Sequence, residues 1–193
     1  MTKSDLFATN LLVKEEIFDL QPNLRGSLLK LEPLKPQDFE SLFLVASDPL
    51  IWQLHPEPTR YQRSVFEKFF DLALQSKGAL LVRDLQSNLV LGSSRFYNLN
   101  LAQKRVTIGY TFLSRSCWGG QHNADMKRLM LTHAFQYVED ALFEVGESNW
   151  RSRRAMEKIG GRLCGRMQKQ NLDGLAHVIY KISKEEFLQS GIA

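Results

Sequence analysis

The amino-acid sequence predicts one domain of the α/β class, mixed in the α+β sense. Three observations carry that prediction. Apolar spacing switches between the helical and the strand period in the order β-α-α-β-β-β-α-β-α-β-β. Three strand patterns run consecutively through the middle, so part of the sheet must be antiparallel. No repeat, low-complexity stretch or linker divides the 193 residues, a length that suits one sizeable core better than two.

The elements follow in order. "GSLLKLEPL" (26–34) alternates as a strand, and "KPQDFESLFLVASD" (35–48) reads as a helix with Pro36 near its start. "PLIWQLHPEPTR" (49–60) is a Pro-punctuated loop. "YQRSVFEKFFDLALQSKG" (61–78) sets Val65, Phe66, Phe69, Phe70, Leu72 and Ala73 on a helix that stops at a glycine. "ALLVRD" (79–84) and "LVLGSSRFYN" (89–98) form a hairpin about "LQSN". "RVTIGYTFL" (105–113) puts Val106, Ile108, Tyr110 and Phe112 on one strand face, and Gly109 inside it marks a bulge or a close approach by a ligand. A helix over 124–138 carries a stripe of Met126, Leu129, Met130, Ala134 and Tyr137. "ALFEV" (141–145) is a short strand, and "WRSRRAMEKIGG" (150–161) a helix closed by two glycines. Strands at 162–170 and 175–183 flank the turn "NLDG", and a short charged helix follows.

Bulk properties narrow the function classes. A hydrophobic share of 44% with 24% charged residues is that of an ordinary globular protein. No apolar run reaches the roughly 18 residues of a membrane span, and the first thirty residues show no signal peptide. The net charge of +4 admits an anionic partner but is too mild to argue nucleic acid, and no zinc-finger spacing or aromatic RNA-binding motif occurs. Cys117 and Cys164 make neither a disulfide framework nor a metal spacing, and His55, His122, His133 and His177 share no ligand pattern. A cytoplasmic protein without a metal is expected, as a monomer or homodimer. His133, on the helix stripe, reads as a satisfied, partly buried side chain.

The stretch "SRSCWGGQHNADMKRLM" (114–130) sets two glycines just before a helix. A helix start exposes up to four backbone N–H groups, and the helix dipole adds partial positive charge, so anions bind there. Gly119 and Gly120 let backbone approach a diphosphate. The alternative is an ordinary turn in which Asn123 or Asp125 caps the helix. Neither GxxxxGK[ST] nor GxGxxG is present.

The next strand leads to a second motif, "ESNWRSRRAMEKIGG" (147–161). With "LKLEPLKPQDFESLFLVASDPLIWQ", "IGYTFL" followed by "WGGQHN", and the final "LDGLAHVIYKIS", the chain resembles the GNAT superfamily of acyl-CoA N-acyltransferases. Within it, the chain is similar to the branch of ribosomal-protein-alanine N-acetyltransferases. The resemblance covers about residues 25–184 of a single domain spanning 1–193. It implies a central, mostly antiparallel mixed sheet of six to seven strands, splayed in the middle and flanked by about four helices. It also implies acetyl-CoA as co-substrate, with the acetyl group passing by direct attack to a primary amine, either a peptide N-terminus or a small polar amine. A catalytically silent acyl-CoA-binding protein of the same fold is the alternative.

In that family the loop [QR]-x-x-G-x-[GA] cradles the coenzyme A pyrophosphate. Here the pattern runs from Trp118 through Gly119, Gly120, Gln121 and His122 to Asn123, with Ala124 next; Trp118 replaces Gln or Arg, and Gln121 replaces the middle glycine. The resemblance implies that the strand at 105–113 parts from that at 141–145. Backbone near Tyr110, Phe112 and Leu113 would then hold the pantetheine arm, with an N–H near 109–111 facing the thioester oxygen. Asn149 matches the asparagine that bonds the pantetheine; its alternative role is a helix N-cap. The tyrosine expected seven residues on is Met156, which leaves Ser152 as the candidate acid; a serine there is otherwise a local hydrogen-bonder. Glu147 is the candidate base, with Glu144 beside it. Among the arginines at 151, 153 and 154, Arg154 is the candidate partner of the 3′-phosphate. Trp52, His55, Arg60 and Tyr97, with Glu57, Tyr61 and Arg95, are candidates for the acceptor pocket.

Overall fold

The computed structural model describes residues 17–168 and 175–190. The expected "NLDG" turn lies outside the described residues. The strands are β1 (Leu24–Arg25), β2 (Leu29–Pro33), β3 (Ala79–Asp84), β4 (Val90–Asn100), β5 (Arg105–Leu113), β6 (Asp140–Gly146), β7 (Arg162–Gln168) and β8 (Ala176–Ser183). They form one sheet in the order β1-β2-β3-β4-β5-β6-β8-β7. The helices are α1 (Phe39–Ala46), α2 (Pro49–Trp52), α3 (Arg63–Gln75), α4 (His122–Ala134), α5 (Trp150–Lys158) and α6 (Lys184–Gln189).

Among the described residues, eight strands and six α-helices exceed the expected six to seven and four, because short segments escape period counting. The strand expected at 26–34 is a hairpin, where Gly26 N–H donates to Leu29 O and adds β1. The loop at 49–60 opens with α2, whose start is fixed by Pro49 and by Asp48 accepting from Leu50 N–H. Helix α4 begins two residues earlier than expected and ends at Ala134, so Tyr137 packs from the following turn.

Core residues lie on both sheet faces. β3 shows why: Leu80 and Val82 join a cluster with Met126, Met130 and Phe96, while Ala79 and Leu81 join a second with Phe66, Phe70 and Trp52. Alternate residues of one apolar strand therefore feed opposite layers. α4, α5 and α6 cover the first face; α1, α2 and α3 cover the second. Each fully buried Phe or Leu side chain contributes roughly 1.5–3 kcal/mol over exposure. His133 is buried as expected, with Nε2 2.7 Å from the carbonyl of Asp19.

Two irregularities position the site. β5 and β6, the sheet's parallel pair, are in register only at Arg105↔Asp140, Val106↔Ala141 and Thr107↔Leu142. Beyond that point β6 stays paired with β8 to Gly146, whereas β5 stays with β4 to Leu113. The sheet therefore opens between them. The second is a bulge: Ser93 pairs Phe112 and Arg95 pairs Gly109, so Tyr110 and Thr111 together face Ser94. The expected bulge is present, but the left-handed backbone belongs to Tyr110 (φ 52°) rather than to Gly109. The extra residue reverses the strand's phase. Ile108 packs in the first core layer and Phe112 in the second, while Tyr110 is 40% exposed, so the single face expected for all four residues is split.

Candidate active site

The opening between β5 and β6 is a cleft of about 990 Å³. At one end lies the start of α4. Gly119 has φ +72° and nothing within 4 Å of where a Cβ would sit, so its glycine serves conformation rather than packing. Gln121 at the N-cap makes no side-chain capping bond. The first amide with a partner inside the helix is that of Asp125, which donates to Gln121 O at 2.9 Å. The amides before it are the unsatisfied donors of a helix start. The capping alternative for Asp125 does not hold, because its carboxylate accepts from Leu28 N, Ser27 Oγ and Arg128, tying α4 to the β1–β2 turn.

Most candidate residues converge on this cleft. Phe112, Leu113, Trp118, Gly119, Gly120, Asn123, Ala124, Asn149, Ser152 and Arg154 line it; Gln121 and His122 do not. The Phe112 ring packs 4.9 Å from Trp52 in the second core layer. Trp118 Nε1 donates to Leu113 O, and Arg151 stacks 4.0 Å over its ring while donating to Ile51 O. Arg153 donates to Tyr180 Oη and Glu147 O. Arg151 and Arg153 thus brace the fold, and Arg154 is the exposed member of the cluster.

Asn149 is buried and caps α5, accepting from Ser152 N–H at 3.1 Å. The first residues of α5, Trp150, Arg151 and Ser152, line the cleft. The base candidate needs a correction. Glu147 does not line the cleft, and its carboxylate pairs with Arg166 on β7. Glu144 does line it, two residues along the strand from Leu142, where β6 leaves β5. Tyr97 hydrogen-bonds Glu144, and burial, reinforced by that carboxylate, drives the phenol's pKa upward.

The cleft is also lined by Trp52, His55, Arg60 and Tyr97, joined by Glu57, Arg95 and Tyr110. Trp52 is anchored by Nε1 donating to Ala46 O. Burial lowers the Arg60 pKa to about 10 and also lowers that of Arg95.

One residue escaped sequence reasoning. Lys127, on α4, is only 2% exposed, lines the cleft and donates to Thr111 Oγ1 at 2.9 Å. Its Nζ lies 5.3 Å from the Phe143 ring centroid, and burial lowers its pKa to about 7. Thr111 in turn shares a 2.7 Å bond with Ser94, so the lysine is tied to the bulge. Its sequence signal was a charge adjoining the apolar stripe residue Met126, easily read as solvated. Among the described residues, no group of His, Cys, Asp and Glu is arranged to hold a metal, and no helix is long and apolar enough to cross a membrane.

The sheet thus parts beside an uncapped helix start, with a pocket of mixed charge in the same cleft. The profile of the acetyltransferase (GNAT) domain matches residues 29–162, and the chain belongs to that family of acetyltransferases. No curated protein matches the sequence. Among solved structures it is similar to a GCN5-related N-acetyltransferase from Brucella melitensis (21% identity, 90% of this chain and 86% of that one, TM-score 0.77). It is also similar to a probable acetyltransferase from Chromobacterium violaceum (18%, 96% and 99%, 0.78). A third is Mycobacterium smegmatis RimJ in complex with CoA-disulfide (19%, 89% and 90%, 0.67). At these identities the likeness speaks to fold.

Proposed function

We propose that the protein is an acetyl-CoA-dependent N-acetyltransferase that transfers the acetyl group by direct attack of a primary amine, either a peptide N-terminus or a small polar amine. The observation that carries this reading is the parting of β5 from β6 after Thr107 and Leu142, in one continuous cleft with the uncapped start of α4. The residues present fit the donor. The amides opening α4 and the bare backbone of Gly119 suit a diphosphate. The parted strand edges suit the amides of a pantetheine arm, and exposed Arg154 suits a 3′-phosphate. Mycobacterium smegmatis RimJ, a protein of similar fold, is in complex with CoA-disulfide. When bound, acetyl-CoA supplies the activated acyl carbon and a thiolate leaving group.

The chain's own groups supply the rest. Glu144 takes the amine's proton, directly or through a water, and Tyr97 orients its carboxylate. The bulge leaves backbone N–H at Tyr110–Thr111 outside the regular ladder, suited to the oxygen on which charge develops. Ser152 donates to the departing thiolate, a role closed to Met156. Glu147, committed to Arg166, has no part in this scheme.

The test is free-thiol release from acetyl-CoA across a panel of peptides and small amines, with turnover expected. Tight coenzyme A binding without turnover on any amine would favour the silent acyl-CoA-binding alternative. No calorimetric heat with coenzyme A or its acetyl ester would remove both readings.

A further inference from the structure

The acceptor end of the cleft contains two arginines buried as deeply as core residues. Arg60 is 9% exposed and Arg95 6%. The Arg60 guanidinium lies 4.4 Å from the Phe69 ring centroid and 5.1 Å from that of Trp52, with Nη1 3.2 Å from His55 Nε2. The Arg95 guanidinium lies 4.2 Å over Tyr110 and 5.7 Å from the same Phe69 ring. Both Nε atoms are buried without a hydrogen-bond partner among the described residues. Glu57, the acid whose field reaches Arg60, directs Oε1 to Thr59 N and Oγ1 instead.

Arginine is almost never buried without a partner, because desolvating the charge and stranding its N–H donors both cost free energy. Two such cations against one phenylalanine ring also repel each other. An anion would satisfy both groups. Aromatic faces hold the guanidinium planes, and a guanidinium edge pairs best with a planar, two-oxygen acceptor. The arginines come from the loop after α2 and from β4, which pairs with β5, and neither belongs to the α4 start assigned to the donor. Arg95 also acts on the charge state of Tyr97, which bonds Glu144. A cationic subsite and an amine-facing carboxylate thus share one tyrosine.

We propose that the amine acceptor carries a carboxylate seated on Arg60 and Arg95, which makes it an amino acid or short peptide with a free carboxylate. This rests on the acetyltransferase reading above and narrows its substrate class. A polyamine would meet like charge at this subsite.

The test pairs amino acids and dipeptides with their C-terminal amides. Each is titrated calorimetrically into protein saturated with coenzyme A, and each is assayed by thiol release with acetyl-CoA. The free acid should bind about 30-fold more tightly than its amide, with kcat/KM falling by the same factor. Arg60→Lys and Arg95→Lys, which keep the charge but lose the fork, should each shrink that ratio to about fivefold or less. Their unchanged coenzyme A affinity reports an intact fold. Equal binding of acid and amide, or binding of neither, overturns the carboxylate assignment. Turnover of neutral amines with no preference for acids would leave the acetyltransferase standing and remove only this subsite. Preference for a dicarboxylic acyl-CoA over acetyl-CoA with a neutral amine would move the anion to the donor and also overturn the assignment. Failure to bind coenzyme A would strike the parent reading first.

Discussion

Replacing Lys127 with methionine isolates the energetics of a cation under the cleft. Methionine is apolar and of similar reach, so it fills the site between Thr111 and Phe143 without opening a large cavity. In the unfolded chain the amine keeps its proton up to about pH 10.5; in the native protein it releases it near 7. Between those values the unfolded state binds more protons than the native state, so the wild type gains stability as pH rises. From pH 7 to pH 9 the site should contribute about 2 kcal/mol, since one pKa unit is worth about 1.36 kcal/mol and the native amine is already half titrated at the lower limit. The assay is urea unfolding of wild type and Lys127→Met at intervals across that range. Groups common to both proteins cancel in the difference, which should change by about 2 kcal/mol in favour of the wild type. Parallel profiles would refute the reasoning, because they would mean that Lys127 is solvated and charged throughout.

Two further outcomes follow from the site. Glu144→Gln should lower kcat by about 100-fold or more with little change in KM, as loss of a general base does. Glu147→Gln should stay within about twofold, because its carboxylate lies outside the cleft and pairs with Arg166; steady-state thiol release on both variants checks the contrast. Asn149→Ala removes the acceptor of Ser152 N–H and should destabilise the protein by about 1 kcal/mol in urea. It should also weaken coenzyme A binding in calorimetry, since the start of α5 then loses its orientation.

The order of elements, the glycine entry to α4 and the cap at Asn149 were all legible in the sequence, because each depends on residues a few positions apart. Helical stripes, strand alternation and an asparagine three residues before its N–H partner are local facts, set by backbone geometry. Pro49 and Asp48 carried a local signal too, but α2 is one turn long and too short for periodicity to register.

Other features belong to tertiary structure alone. The phase reversal at Tyr110 is a property of pairing with β4, where one residue, Ser94, meets two. In the sequence Gly109 signals a bulge, but the apolar residues of β5 alternate without showing where the phase changes. Choosing Glu144 over Glu147 required knowing that β7 brings Arg166 to one of them and leaves the other in the cleft. Lys127 became a buried amine, and Arg60 and Arg95 became buried cations lacking Nε partners, only when α4, β4 and the loop after α2 closed around shared space. Burial and charge pairing are sums over residues distant in sequence. The chain by itself determined which elements form and in what order, and packing between them decided which side chains face one another across the cleft.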